Sequence, residues 1–123
     1  MRDSTTSLLI FPCNGNGLEA LDALDDGYEF LGFIDDTAQK QASGGHGHLV
    51  FSRRALQAHP EAQVLAVPGS PESFRQRRAV IDSLHVDPSR WARVVHPRAF
   101  VSPRASLGRN VLVMAGRSSV PMR

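Results

Sequence analysis

The sequence predicts an α/β fold: a mostly parallel sheet with helices on both faces. Three observations predict it. Short apolar runs are bounded by turn residues, amphipathic stretches lie between them, and the two kinds of segment alternate regularly. The chain has 123 residues, 41% of them hydrophobic and 21% charged. That is the make-up of one ordinary globular domain with enough chain for a single core.

The elements follow in order. Ser7 to Pro12 is continuously apolar up to its proline and reads as a buried first strand. Asn14-Gly-Asn-Gly17 is a turn. Leu18, Leu21 and Leu24 then recur at helical spacing, with Glu19, Asp22 and Asp25 on the other face and Gly27 as the stop. Tyr28 to Ile34 is the second strand, ending in Asp35-Asp36. Residues 37–48 are polar and glycine-rich and read as a loop. Leu49-Val-Phe51 is a short third strand, and Ser52 caps a short helix through about Ala58. Val64 to Val67 is the fourth strand. Pro68-Gly-Ser-Pro71 is a turn in which Ser70 caps the next helix, supported by Pro71 at its first position and Glu72 in its first turn. That helix runs to about Leu84, with Phe74, Val80, Ile81 and Leu84 toward the core. Trp91 to Val95 is a fifth strand. The expectation is a sheet of about five strands, with strands one, two and four side by side at one crevice.

After His96-Pro97 the pattern changes. Val101, Leu107 and Val113 stand six residues apart, with Ala105, Gly108, Ala115 and Gly116 between or beside them. A six-residue apolar repeat marks a parallel β-helix, in which each repeat forms one flat side of a coil. Ser119 falls where the next aliphatic residue is expected, so fewer than three full repeats are present. The chain divides at this change into residues 1–95 and 96–123.

Composition excludes several classes. No apolar run approaches the roughly 20 residues that span a bilayer, and no basic segment with a cleavage site marks a signal peptide. The expected location is the cytoplasm, with which the single Cys13 agrees. Residues 1–50 hold eight acidic and two basic side chains, and residues 51–123 hold four acidic and twelve basic ones, all arginine. A basic half suits an anionic partner or a solvated helix face. Nucleic acid is not expected, because the few aromatics do not interleave with the arginines. His46 and His48 beside glycines have no third or fourth partner at usable spacing, so no metal site is expected. No G-x-S-x-G elbow is present, and no catalytic residue is assigned.

The candidate binding residues lie at strand ends. The turn after strand one, with Pro12, Cys13, Asn14, Gly15 and Gly17, is where a backbone approaches a phosphate at a helix N-terminus. Of the three glycines of a dinucleotide fingerprint only the last, Gly17, is present; Pro12 and Asn14 hold the other positions. Asp35 and Asp36 stand about 20 residues further on, where a carboxylate meets a ribose hydroxyl. Gly69 and Ser70 follow strand four and line the same crevice. Each also has a plainer reading, as a tight turn, a solvated loop start or a helix cap. His96, before a proline, reads as a structural hydrogen-bonding residue.

Together these residues resemble the NeuD/PglD-like family of bacterial sugar O- and N-acyltransferases. The resemblance rests on Phe11-Pro-Cys-Asn-Gly-Asn-Gly17 against a G-A-G-G-H-G-type turn, and on Phe33-Ile-Asp-Asp36 against F-L-D-D. Leu65-Ala-Val-Pro-Gly-Ser-Pro71 matches the next glycine turn. Val95-His-Pro-Arg-Ala-Phe-Val-Ser-Pro-Arg-Ala-Ser-Leu-Gly108 matches an I-H-P-x-A-x-V-S-P-x-A-x-I-G entry into a left-handed β-helix. The resemblance implies a Rossmann-like nucleotide-sugar-binding domain followed by the first turn of a left-handed β-helix of hexapeptide repeats. It implies an enzyme of glycan biosynthesis that moves an acyl group from acyl-CoA to a nucleotide-linked amino sugar or a sialic acid. No covalent cofactor is implied; acetyl-CoA is the donor for a full-length member, which forms a homo-oligomer, a trimer. The family's catalytic histidine and acetyl-CoA surface lie further along the β-helix than Arg123, so this sequence is expected to be a truncated part without them. Proline for the first glycine and Asn16 for the usual histidine are departures in the first turn. The competing readings are a small NAD-binding or redox-sensing domain, and a non-catalytic assembly module.

Overall fold

Leu8, Leu9 and Ile10 point to alternate sides of the first strand, and all three are fully buried. A strand covered on both faces belongs in the middle of a parallel sheet, and there it lies. The structure is a computed structural model that describes residues 5–24, 27–44, 47–68, 74–98 and 110–113. Within them run β1 (Thr6–Phe11), α1 (Gly15–Asp22), β2 (Tyr28–Ile34), α2 (Ala38–Ser43), β3 (Val50–Phe51), α3 (Ala55–Ala58), β4 (Gln63–Ala66), α4 (Phe74–Asp82), a 3-10 turn (Pro88–Arg90), β5 (Arg93–Val95) and β6 (Val111–Val113). The main sheet has the order β3-β2-β1-β4, all parallel. Strands one, two and four are therefore side by side, as the sequence predicts.

Two apolar layers sandwich this sheet. On one face Leu8, Ile10, Phe33, Leu65 and Val67 meet Ala20 of α1, with Leu18, Leu21 and Leu24 packed against them. On the other, Leu9, Phe11, Ile34, Val64 and Ala66 meet Ala55 and Leu56 of α3 and Leu84 beyond α4. Full burial of each large β1 side chain is worth about 1.5–3 kcal/mol relative to exposure. Between Leu8 and Leu9 the β1–β2 register skips a residue, pairing Leu8 with Phe30 but Leu9 with Gly32. A Cβ on Gly32 would lie 2.6 Å from the Phe51 ring and 3.0 Å from the Leu49 carbonyl, so glycine is what lets β3 close on β2.

Four details differ from the sequence reading. Residues 14–17 are not a free turn: Asn14 caps α1, and Gly15 to Gly17 form its first turn. The stretch 37–48 is not all loop, because Ala38-Gln-Lys-Gln-Ala-Ser43 forms α2. Its alanines, glutamines and lysine are good helix formers, and the glycines that suggested a loop lie only beyond its end. Val80 faces solvent, while Ile81 and Leu84 enter the core. The fifth strand does not join the sheet along its length. Trp91 makes a single parallel bridge to Val64, and Arg93–Val95 turn away to pair with β6.

That second pairing has a definite spacing. Arg93 pairs with Val111, Val94 with Leu112 and Val95 with Val113, each with the residue eighteen positions on. Leu112 and Val94 share the buried cluster of Leu8 and Ile10. Asn110 leads into β6 with φ +56°, a left-handed conformation that asparagine tolerates well. Its buried amide pairs twice with the Ala66 backbone: Oδ1 accepts from Ala66 N–H at 2.7 Å, and Nδ2 donates to Ala66 C=O at 3.0 Å. Of the hexapeptide positions, Val101 and Leu107 lie outside the described residues, as do Ala105, Gly108, Ala115, Gly116 and Ser119.

Candidate functional site

The carboxyl ends of β1, β2 and β4 open onto one crevice, at the point where the strand order reverses. Open parallel sheets bind their ligands there, because successive connections leave to opposite faces and part. The turn from β1 into α1 forms its floor. The Phe11–Pro12 peptide is cis. Asn14 is extended and caps α1, its Oδ1 accepting from Gly17 N–H at 2.7 Å. Its Nδ2 donates to the Val67 carbonyl at 3.2 Å, which ties the turn to the end of β4. Asn16 Nδ2 reaches toward the Pro68 carbonyl at 3.5 Å. Gly17 has no room for a side chain: a Cβ would stand 2.7 Å from the Pro12 carbonyl oxygen and 3.0 Å from the Phe33 ring. This surviving fingerprint glycine therefore serves close packing of helix on strand.

Asp35 closes the second side. It is 6% exposed, and its carboxylate accepts from Cys13 N–H at 3.1 Å and Thr37 N–H at 2.9 Å. Lys40 Nζ lies 3.3 Å from Asp35 Oδ2 and donates to the Cys13 carbonyl at 2.8 Å. Burial pushes the Asp35 carboxyl up, but the hydrogen bonds from Thr37, Lys40 and Cys13 outweigh it and hold the group below its usual value. Cys13 is buried, and burial pushes its thiol up; the Lys40 charge opposes this and the Asp35 charge adds to it. Asp36 does not join this hydrogen-bonded group. It is half-exposed and pairs with Arg53 Nε at 2.7 Å. Arg53 also donates to the Ser83 carbonyl at 2.8 Å.

Of the predicted residues, the structure thus brings together Pro12, Cys13, Asn14, Gly15, Gly17 and Asp35, with Asp36 at the rim. Gly69 and Ser70 lie outside the described residues. His96 Nδ1 accepts from Arg98 N–H at 3.0 Å within its own turn. His48 stands edge-on to Phe30 and Phe33, and His46 lies outside the described residues. Among the described residues no cluster of His, Cys, Asp or Glu could hold a metal ion, and no helix is long and apolar enough to cross a membrane. Sequence reasoning missed Lys40, since it placed that residue in a loop. The signal was there: a lysine five residues past Asp35, in a stretch of good helix formers.

A parallel sheet with covered faces and a crevice at its switch point defines the Rossmann-like class of α/β folds. The chain is similar to the crystal structure of UDP-D-quinovosamine 4-dehydrogenase from Vibrio fischeri, with TM-score 0.50 and 24% identity over 66% of this chain and 70% of that one. At that identity the likeness speaks for the fold. No protein-family model matches the chain, and no curated protein does.

Proposed function

We propose that this chain is the nucleotide-sugar-binding part of a bacterial sugar acyltransferase. The observation that carries the reading is the eighteen-residue parallel register of β5 on β6, beside a Rossmann-like sheet with an open switch point. Eighteen residues are three hexapeptides, one circuit of a three-sided coil, and the six-residue spacing of Val101, Leu107 and Val113 falls inside that circuit. In this reading the nucleoside lies across the ends of β1, β2 and β4. The first turn of α1 faces the diphosphate, where helix N–H groups and the helix dipole favour an anion. Asp36, half-exposed, is the carboxylate offered to ribose, while the buried Asp35 holds the turn in place. The UDP-sugar named as substrate of the V. fischeri enzyme is a ligand of the proposed class. The whole protein would transfer an acyl group from acyl-CoA to the sugar amine or hydroxyl, with a histidine as general base.

The competing dinucleotide reading is disfavoured by the turn. Close approach to a pyrophosphate uses glycines where this chain has Pro12 and Asn14. Calorimetry with UDP-N-acetylglucosamine and with NAD is the test. The expected result is tighter binding of the UDP-sugar, weakened by Asp36→Ala; tighter binding of NAD would overturn the reading.

A further inference from the structure

β4 is the last strand of the main sheet. β1 covers its inner edge, with Phe11 beside Ala66 and the Val67 N–H donating to the Phe11 carbonyl at 2.6 Å. At the outer edge other parts of the chain must supply partners, because buried backbone groups are paired. The Ala92 N–H donates to the Val64 carbonyl at 2.8 Å. The Asn110 amide takes both backbone groups of Ala66, from 44 residues further along the chain. Ala66 ends β4, and the next residue carries the connection on. The Val67 carbonyl accepts from Asn14 Nδ2 at 3.2 Å, and Asn14 Oδ1 accepts from Gly17 N–H at 2.7 Å. One run of hydrogen bonds and a peptide bond thus leads from the head of β6 to the turn that floors the crevice. Asn110 is 6% exposed and grips Ala66 through two bonds at once, so its seat fixes the end of β4 in position as well as pairing it.

We infer that Asn110 is a positioning residue that links the crevice to the β5–β6 pair. Seated on Ala66, it sets the strand end from which Val67 holds the Asn14 turn, and a nucleotide bound on that turn tightens the seat in return. The inference rests on the nucleotide reading proposed above and adds to it a coupling between two parts of the chain. Its two states are the amide seated and the amide released. On release, Ala66 N–H and C=O lose their partner, and the strand end is held from the β1 side alone. The β1 pairing persists in both states, so the turn loosens without unfolding, and the ligand binds more weakly rather than not at all. Linkage makes the effect mutual: the factor by which the seat raises nucleotide affinity is the factor by which the nucleotide stabilises the seat.

The experiment measures UDP-N-acetylglucosamine binding by calorimetry, and amide hydrogen exchange with and without that ligand. It uses the whole chain as wild type, Asn110→Gly and Arg90→Lys. Glycine removes the amide and keeps the left-handed backbone. The Arg90 guanidinium lies outside this run, on the carbonyls of Leu56, His59 and Ala62, so Arg90→Lys controls for a general loss of stability. Asn110→Gly is expected to bind about fivefold more weakly than wild type or worse, and Arg90→Lys to stay within about twofold. In wild type the ligand should slow exchange of the Val111 N–H, which donates to the Ala92 carbonyl at 3.2 Å, by a similar factor. In Asn110→Gly that slowing should vanish while the β1 amides still slow. Equal affinity of Asn110→Gly and wild type would overturn the inference, because Asn110 would then serve stability alone. Equal weakening in Asn110→Gly and Arg90→Lys would overturn it too, as would a wild-type Val111 amide indifferent to the ligand. The wild-type exchange needs no variant, so it decides the matter if Asn110→Gly does not fold. If wild type binds no UDP-sugar, the nucleotide reading falls and this inference with it; if wild type binds and only the coupling fails, the nucleotide reading stands.

Discussion

Asn110 replaces a strand with one side chain, and its removal should be costly for two separable reasons. Ala66 is fully buried, and both its N–H and its C=O are paired with the Asn110 amide. Asn110→Ala deprives both groups of that partner, at roughly 1–3 kcal/mol for each buried polar group. The same change puts alanine at φ +56°, where an L side chain other than asparagine or aspartate loses about 1–2 kcal/mol. Water admitted at the edge recovers part of the first cost, so the expected total is about 3 kcal/mol. At this chain length that is a fall in Tm of ~10 °C. Asn110→Gly loses the same hydrogen bonds but not the conformational fit, and should be about 1 kcal/mol less harmful than the alanine. Asn110→Asp keeps an acceptor for Ala66 N–H but turns a carboxylate oxygen on Ala66 C=O. Urea denaturation followed by circular dichroism reads all three. Loss under 0.5 kcal/mol in Asn110→Ala would refute the hydrogen-bond argument. Equal stability of the alanine and glycine variants would refute the backbone argument alone.

Three further outcomes are expected. Asp35 is held below its usual carboxyl value in the fold, so its contribution is present above the unfolded value of about 4 and is lost as pH falls through the folded one. Acid titration of stability should therefore flatten at its low end in Asp35→Asn; an unchanged acid limb would show that the carboxylate is not linked to folding. Arg90 donates to the carbonyls of Ala62, Leu56 and His59 at 2.8–2.9 Å, a fork no lysine can reproduce. Arg90→Lys should cost about 2 kcal/mol in denaturant titration, and a neutral result would mean that water serves those carbonyls equally well. Gly17→Ala forces a Cβ against the Pro12 carbonyl and should cost roughly 1–3 kcal/mol; a Tm within a degree of wild type would show that the turn yields freely.

The parts of the fold legible in the sequence are those governed by continuous or periodic apolar patterning. Leu8 to Phe11 and Phe33-Ile34 could only be buried strands, and Leu18, Leu21 and Leu24 could only be one side of a helix. Asp35 was legible from its place at a strand end. Its occupation was not, because that depends on Cys13, twenty-two residues away, presenting an N–H to it. Lys40 was hidden by the glycines after α2, which outweighed the helix formers before them. The fate of the fifth strand depends on two competing partners. Trp91 touches β4, but two residues later β6 offers a longer ladder, and no local pattern ranks the two.

The Asn110 amide has a consequence for how this molecule behaves among its own copies. The outer rim of β4 is engaged at Val64 by the N–H of Ala92 and at Ala66 by Asn110. At the opposite rim, β3 is only two residues long. Among the described residues, the β4 rim is thereby occupied at two of its backbone positions, and the β3 rim is short, which leaves a foreign strand little to pair with on either of these two strands. At high concentration, addition of a foreign strand along β4 must first evict a buried side chain, and addition along β3 finds purchase on only two residues. Partial unfolding near Ala66, more than collision of folded molecules, then becomes the step that sets colloidal lifetime.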